Sequence, residues 1–270
     1  MFKLLTRTVF LIAGLVLFSG CDRNIVPIAT PTVTLKPSTP TMTPTSTITP
    51  TPTRISTATS VPGTSVTFLN EDGIQLAGTL YGSGDIAVIM AHQGTYGATQ
   101  ATWQPLIPAL IKDGFTGMPF DFRGFGQSGG PGRIGQLDDD IRAAAKYLRS
   151  QNYNRIVCAG SCMGGTACLR AAIDGEPFIG LIILASPFDA SGGLVVNLEG
   201  LEQLTQPKLY ITGNQDAYGI AWDIKRMYEF STEPRTLLTF EQRAHGTDLF
   251  QTASRDELID AILNFLISLR

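Results

Sequence analysis

Residues 159–165 read "AGSCMGG", and the way this stretch turns decides the fold around it. A strand that passes sharply into a helix leaves no room for side chains two positions before and after the residue at its tip. With Cys162 at the tip those positions are Gly160 and Gly164; with Ser161 there they would be Ala159 and Met163, and methionine does not fit. The reading is therefore a strand, then Cys162 presented on a tight turn with Ser161 pointing away, then a helix. Free backbone N–H groups at the start of that helix favour an anion and lower the thiol pKa.

Outward from the turn, short continuous apolar runs, "IAVIMA", "FTGMPF", "RIVCAG", "GLIILAS", "KLYITG" and "TLLTF", alternate with helical stretches such as "TWQPLIPALIKD", "LDDDIRAAAKYLRSQ", "IAWDIKRMYEF" and "SRDELIDAILNFLISL". Continuous apolar strands separated by helices predict a mostly parallel sheet buried on both faces. Two alternating segments precede them, "SVTFLN" and "IQLAGTLYG", separated by Glu71-Asp72-Gly73, whose Asp-Gly pair is a hairpin signal. The expected class is α/β, with an eight-stranded, mostly parallel sheet and helices on both faces. In such sheets the chemistry collects in loops at the carboxyl ends of the strands.

The stretch "RIVCAGSCMGGTACLRAA" resembles the G-x-S-x-G turn of the α/β-hydrolase fold, with cysteine in the serine position. That variant resembles dienelactone hydrolases, whose turn carries cysteine. "AHQGTYG" after the third strand is similar to the family's oxyanion turn, and "DFRGFGQS" after the fourth to its D-x-R-G-x-G-x-S segment. The likeness spans nearly the whole domain and implies a triad in the order nucleophile, acid, base. Of the two histidines, His245 in "RAHGTDLF" stands where the fold places its base, and His92 in "AHQG" is read as a structural residue of the turn. Asp216 in "LYITGNQDAYG" is the expected acid, with Asp189 in "ASPFDASG" as its rival. The oxyanion hole is expected from the backbone N–H of Met163 plus one from Gln93 or Gly94.

The resemblance implies a hydrolase for a carboxylic ester or lactone, working through an acyl-enzyme and needing no cofactor. Two alternatives stay open: a binding protein that has lost turnover, and an acyltransferase or peptidase on the same triad. About twenty residues separate the sixth and seventh strands, too few for a large lid domain, so the site is expected to be open. Trp103, Phe125, Phe188 and Tyr218 are candidate apolar walls, each equally readable as core.

The N-terminus has its own signature. Lys3 and Arg7 precede an apolar run, "VFLIAGLVLF", that is followed by "SGC". At about ten residues the run is short of the roughly 20 that span a bilayer, which points to an export signal. The ending resembles a bacterial lipoprotein signal, with Phe18 where leucine is usual, and implies lipidation of Cys21 and an extracytoplasmic protein anchored to the cell membrane. Residues 1–21 are thus read as the signal and 22–62 as a Thr/Pro-rich flexible linker of the composition seen in O-glycosylated stalks. Residues 63–270 are read as one α/β-hydrolase domain.

A formal charge of −3 gives no reason to expect a nucleic-acid partner. "GFGQSG", Gly124 to Gly129, satisfies G-x-G-x-x-G, but Pro131 and Gly132 interrupt any helix after it, so no dinucleotide is expected. Asp138 to Asp140 open a helix, where acids favour the positive end of the dipole, and no Cys/His cluster has zinc spacing, so no metal is expected. Of the four cysteines, Cys158 and Cys168 are read as buried thiols. Their distances back from the turn differ along strand and helix, which predicts a Cα separation beyond the roughly 7 Å limit for a bridge.

Overall fold

The computed structural model describes residues 61–270; the expected export signal, Cys21 and all but the end of the expected linker lie outside the described residues. All eight expected strands form: β1 (Thr64–Leu69), β2 (Gln75–Leu80), β3 (Ile86–Ala91), β4 (Thr116–Asp121), β5 (Arg155–Ser161), β6 (Gly180–Leu184), β7 (Lys208–Gly213) and β8 (Arg235–Phe240). They make one sheet in the order β1-β2-β4-β3-β5-β6-β7-β8. β1 and β2 pair antiparallel through the Asp72-Gly73 turn, where Gly73 takes a positive φ. β2 also meets β4 antiparallel, and every pairing from β4 to β8 is parallel.

The continuous apolar runs have a plain cause, because each inner strand is covered twice. Along β3, Ala87, Ile89 and Ala91 enter one core while Ile86, Val88 and Met90 enter the other, as a side-chain period of two requires. The first core is closed by α2 (Leu137–Ser150), α3 (Met163–Ile173) and α5 (Ala221–Phe230), through residues such as Ile141, Leu148, Leu169, Ile224 and Met227. The second is closed by α1 (Ile107–Lys112) and α6 (Arg255–Ser268), through Ile107, Leu110, Leu258, Ile262 and Leu266. Between β6 and β7 there is only α4 (Leu198–Leu201), so nothing large overhangs the carboxyl ends of the central strands.

The acidic start of α2 does more than meet the helix dipole. Asp140 is buried and accepts from the backbone N–H and Nε of Arg123, both at 2.9 Å, and from Asn70 at 2.8 Å. Arg123, itself fully buried, also donates to Asp72 and Gln136. This cluster holds the turn after β4 and explains the arginine of "DFRGFGQS". Burial opposes its charge, but the Asp140 and Asp72 carboxylates raise its pKa further. The rest of that segment wraps Asp121, whose carboxylate accepts from the N–H groups of Gln100 and Gln127.

One expectation fails. Cys158 and Cys168 form a disulfide, with Cα atoms 5.8 Å apart. The difference between the strand and helix paths is only about 4 Å along their axes. The sideways gap is closed because glycines let β5 and α3 nearly touch: a Cβ on Gly160 would overlap the backbone of Gly164 and Gly165. The glycines that make the sharp turn also bring the two sulfurs within bonding distance.

Candidate active site

Cys162 sits between β5 and α3 at φ 53° and ψ −125°, a positive φ on a non-glycine residue. Such strain persists where surrounding structure imposes it. Here the constraint is contact on both sides: a Cβ on Gly164 would lie 2.5 Å from the Ala91 carbonyl oxygen and 2.7 Å from that of His92. Cys162 is the free thiol among the described residues and is partly exposed.

Two loops bring acid and base to it. The loop after β7 carries Asp216 and the loop after β8 carries His245, and they are tied by Gln215 N–H to the Gln242 carbonyl at 3.2 Å and Ala217 N–H to the Arg243 carbonyl at 3.0 Å. His245 Nδ1 donates to Asp216 Oδ2 at 2.8 Å, which leaves Nε2 for Cys162. The other Asp216 oxygen accepts the N–H of Tyr218 at 2.9 Å. Tyr218 also stands edge-on to the imidazole, with ring centroids 4.6 Å apart.

The electrostatics follow from these contacts. Burial drives the Cys162 thiol up, but the His245 hydrogen bond and charge, with the N–H groups of Gly94 and Met163, bring it below its ordinary value. Burial drives His245 down, but its bonds to Asp216 and Cys162 leave it pushed up to about 9. Both shifts favour the thiolate–imidazolium form of the pair over the neutral one.

The sequence-predicted residues separate clearly by position. The structure brings Cys162, Asp216 and His245 together, with the N–H groups of Met163 and Gly94 at the sulfur. Of the two candidates for the second donor, Gly94 is the one whose N–H reaches the Cys162 sulfur; the Gln93 side chain is buried. Asp189, the rival acid, is exposed, accepts from Ser191 N–H at 2.8 Å and has no bond to His245. His92 is buried and held in one tautomer: Nδ1 donates to the Gln93 carbonyl at 2.7 Å and Nε2 accepts from Phe122 N–H at 3.2 Å. Burial lowers its pKa against the Gln93 bond and the Asp121 charge, and with Nε2 accepting a backbone N–H the ring braces the turn.

Above the sulfur lies an open cavity of about 340 Å³, walled largely by Ile134, Met163, Pro187, Ala190, Tyr218 and Ile220. Of the four expected aromatic walls only Tyr218 lines it. Trp103 is buried against Phe250 in the second core, Phe125 packs on His92, and Phe188 packs on Trp222. Sequence reasoning missed Ile134 and Ile220, which lie outside the loops' recognisable motifs and carry no signal beyond being apolar.

Comparison with known proteins agrees with this architecture. The chain is 28% identical over 232 residues to the "Uncharacterized protein YfhR" of Escherichia coli K12, covering 75% of this chain and 81% of that protein. It superimposes on the Pyrococcus furiosus esterase Pf2001 with a TM-score of 0.68 at 20% identity, covering 78% of this chain and 92% of that one. It also superimposes on a Xanthomonas campestris protein described as an α/β serine hydrolase without lid, with a TM-score of 0.61 at 23% identity, covering 76% and 94%. Residues 85–247, more than half of the chain, match the family described as serine aminopeptidase, S33. With its eight-stranded α/β-hydrolase fold and the turn at Cys162 inside the matched region, the chain belongs to that family.

Proposed function

We propose that the protein is a cysteine-dependent hydrolase of carboxylic esters or lactones, similar in its nucleophile to dienelactone hydrolases. The observation that carries this reading is the contact chain from Cys162 through His245 to Asp216, with two backbone N–H groups at the sulfur. The thiolate attacks the carbonyl carbon, and the resulting oxyanion is held by the N–H groups of Gly94 and Met163. His245 gives its proton to the departing alkoxide as the C–O bond breaks, which leaves an acyl thioester on Cys162 and a neutral imidazole. That imidazole takes a proton from water, the hydroxide attacks the thioester carbonyl, and the carboxylic acid leaves as the thiolate re-forms.

The apolar cavity suits a small or medium acyl group, and the esterase name of the Pyrococcus fold relative points the same way. The family's aminopeptidase description favours an amide reading instead. One assay separates them: the full chain is offered p-nitrophenyl butyrate and an aminoacyl p-nitroanilide, before and after iodoacetamide, beside Cys162→Ala. Ester turnover lost on alkylation and in the variant supports the reading; anilide turnover alone replaces it with a peptidase, and full activity in Cys162→Ala removes the thiol mechanism.

We further propose that the protein is a lipoprotein acting outside the cytoplasm, with Cys21 lipidated and residues 22–62 as spacer. The buried Cys158–Cys168 disulfide supports this, since such bonds persist in oxidising compartments. Incorporation of labelled palmitate that disappears in Cys21→Ala tests it; equal labelling of both chains contradicts it.

A further inference from the structure

The side chain of Gln93 is almost completely buried directly behind the triad, and it does not line the cavity. Its amide gathers three separate loops. Oε1 accepts from Ser161 Oγ at 3.0 Å, from Thr247 N–H at 2.9 Å and from Thr247 Oγ1 at 3.0 Å. Nε2 donates to Thr95 Oγ1 at 3.0 Å and to Asp248 Oδ1 at 3.3 Å. Ser161 Oγ accepts Thr247 N–H as well, at 3.1 Å, so the three residues form a closed polar cluster.

Each attachment point adjoins a working group. Gln93 precedes Gly94, whose N–H reaches the sulfur. Ser161 precedes Cys162. Thr247 lies two residues beyond His245, and the intervening Gly246 has φ 56°. A Cβ there would strike both Ser161 Oγ and Gln93 Oε1, so the histidine loop crosses the cluster at the one point where a side chain has no space.

We propose that Gln93, acting with Ser161 and Thr247, is a positioning residue that sets the Cys162–His245 geometry together with the Gly94 oxyanion donor. This rests on the cysteine-hydrolase reading for its activity readout and on geometry alone for the rest. A chain of buried hydrogen bonds among loops has no slack, and a displacement of about 1 Å at a reacting pair costs about 10²-fold in rate. Because none of the three lines the cavity, the loss falls on kcat and not on KM. Ser161, the hydroxyl beside the nucleophile, thus serves behind the site.

The test uses the full chain with p-nitrophenyl butyrate and, separately, the pH dependence of Cys162 alkylation by iodoacetamide. Gln93→Met, close in size but without the amide, is expected to lose about 10²-fold in kcat with KM nearly unchanged. Its alkylation midpoint is expected to move up toward that of an ordinary thiol, because His245 no longer holds its place. Thr247→Val should lose about 10-fold, and Thr247→Ser, which keeps the hydroxyl, should recover most of that. If Gln93→Met does not fold, Ser161→Ala and Thr247→Val carry the same two readouts.

Lower thermal stability with wild-type kcat and an unmoved alkylation midpoint would reduce the cluster to structural support and overturn the proposal. If wild type cleaves no ester, or Cys162→Ala still does, the hydrolase reading fails instead. The alkylation midpoints of wild type and Gln93→Met still decide whether the cluster sets the thiol–imidazole pair.

Discussion

Gly164→Ala adds one methyl group at the point where α3, β3 and the oxyanion turn converge. Its Cβ would stand 2.5 Å from the Ala91 oxygen and 2.7 Å from the His92 oxygen, so about 0.9 Å of movement is needed to restore ordinary contact. Both obstructing atoms are backbone in a fully buried strand end, and the disulfide joining β5 to α3 prevents the helix from simply swinging out. Overpacking of this kind costs about 1–3 kcal/mol, which in a domain of this size lowers Tm by roughly 2–12 °C. The functional cost is larger, because the obstruction separates the carbonyl of His92, one turn residue from the Gly94 donor, from the helix start that carries the Met163 donor. Loss of one such donor reduces kcat by about 10²–10³. The assay is ester turnover with thermal unfolding of the same preparation, and Gly129→Ala is the control, since a Cβ there meets its nearest neighbour at 3.5 Å. A Gly164→Ala enzyme with wild-type kcat and Tm would refute the claim that close backbone approach holds the oxyanion donors in register.

Three other outcomes follow from the geometry. Iodoacetamide should alkylate wild-type Cys162 at lower pH than an ordinary thiol. Because Asp216 helps push His245 up to about 9, Asp216→Asn should shift alkylation to higher pH, and an unmoved profile contradicts the ion pair. Ester turnover should fall as pH rises through about 9, since a histidine with a raised pKa is protonated below that value and loses there the proton the leaving group needs; a rate flat to pH 10.5 contradicts this. Arg123→Leu leaves Asp140 buried without its cation and should cost about 3–5 kcal/mol, seen as a large fall in Tm, whereas a change below 1 °C would show that Asn70 and the backbone N–H of residue 123 satisfy Asp140 without the guanidinium.

The strands were legible because period and length agree: six residues such as "IAVIMA" are too few for a buried helix and apolar enough for a strand covered on both faces. The residue at the tip of the turn was legible because Gly160 and Gly164 are steric requirements written directly as residue types. Asp216 and His245 could be placed only through resemblance, since a loop aspartate and a loop histidine carry no local signal of facing one another. The disulfide was misread because spacing along two axes says nothing of the sideways distance, which the same glycines set. Gly94 could not be separated from Gln93 because a backbone donor is chosen by turn geometry. Trp103, Phe125 and Phe188 went to the core and Tyr218 to the cavity, for want of any sequence mark distinguishing a wall from a filling side chain.

The bond between Cys158 and Cys168 also closes residues 158–168 into a covalent ring with Cys162 inside it. A turn in a ring cannot fray from either end, so the strained backbone at Cys162 has no partial release: the segment opens with the sheet or not at all. Amide hydrogens along this ring should therefore exchange only through global unfolding, and reduction should add a faster, local route. The turn at Cys162 becomes among the slowest-breathing parts of the molecule, and motion at the cavity falls to the loops across from it, around Ile134, Ser191 and Tyr218.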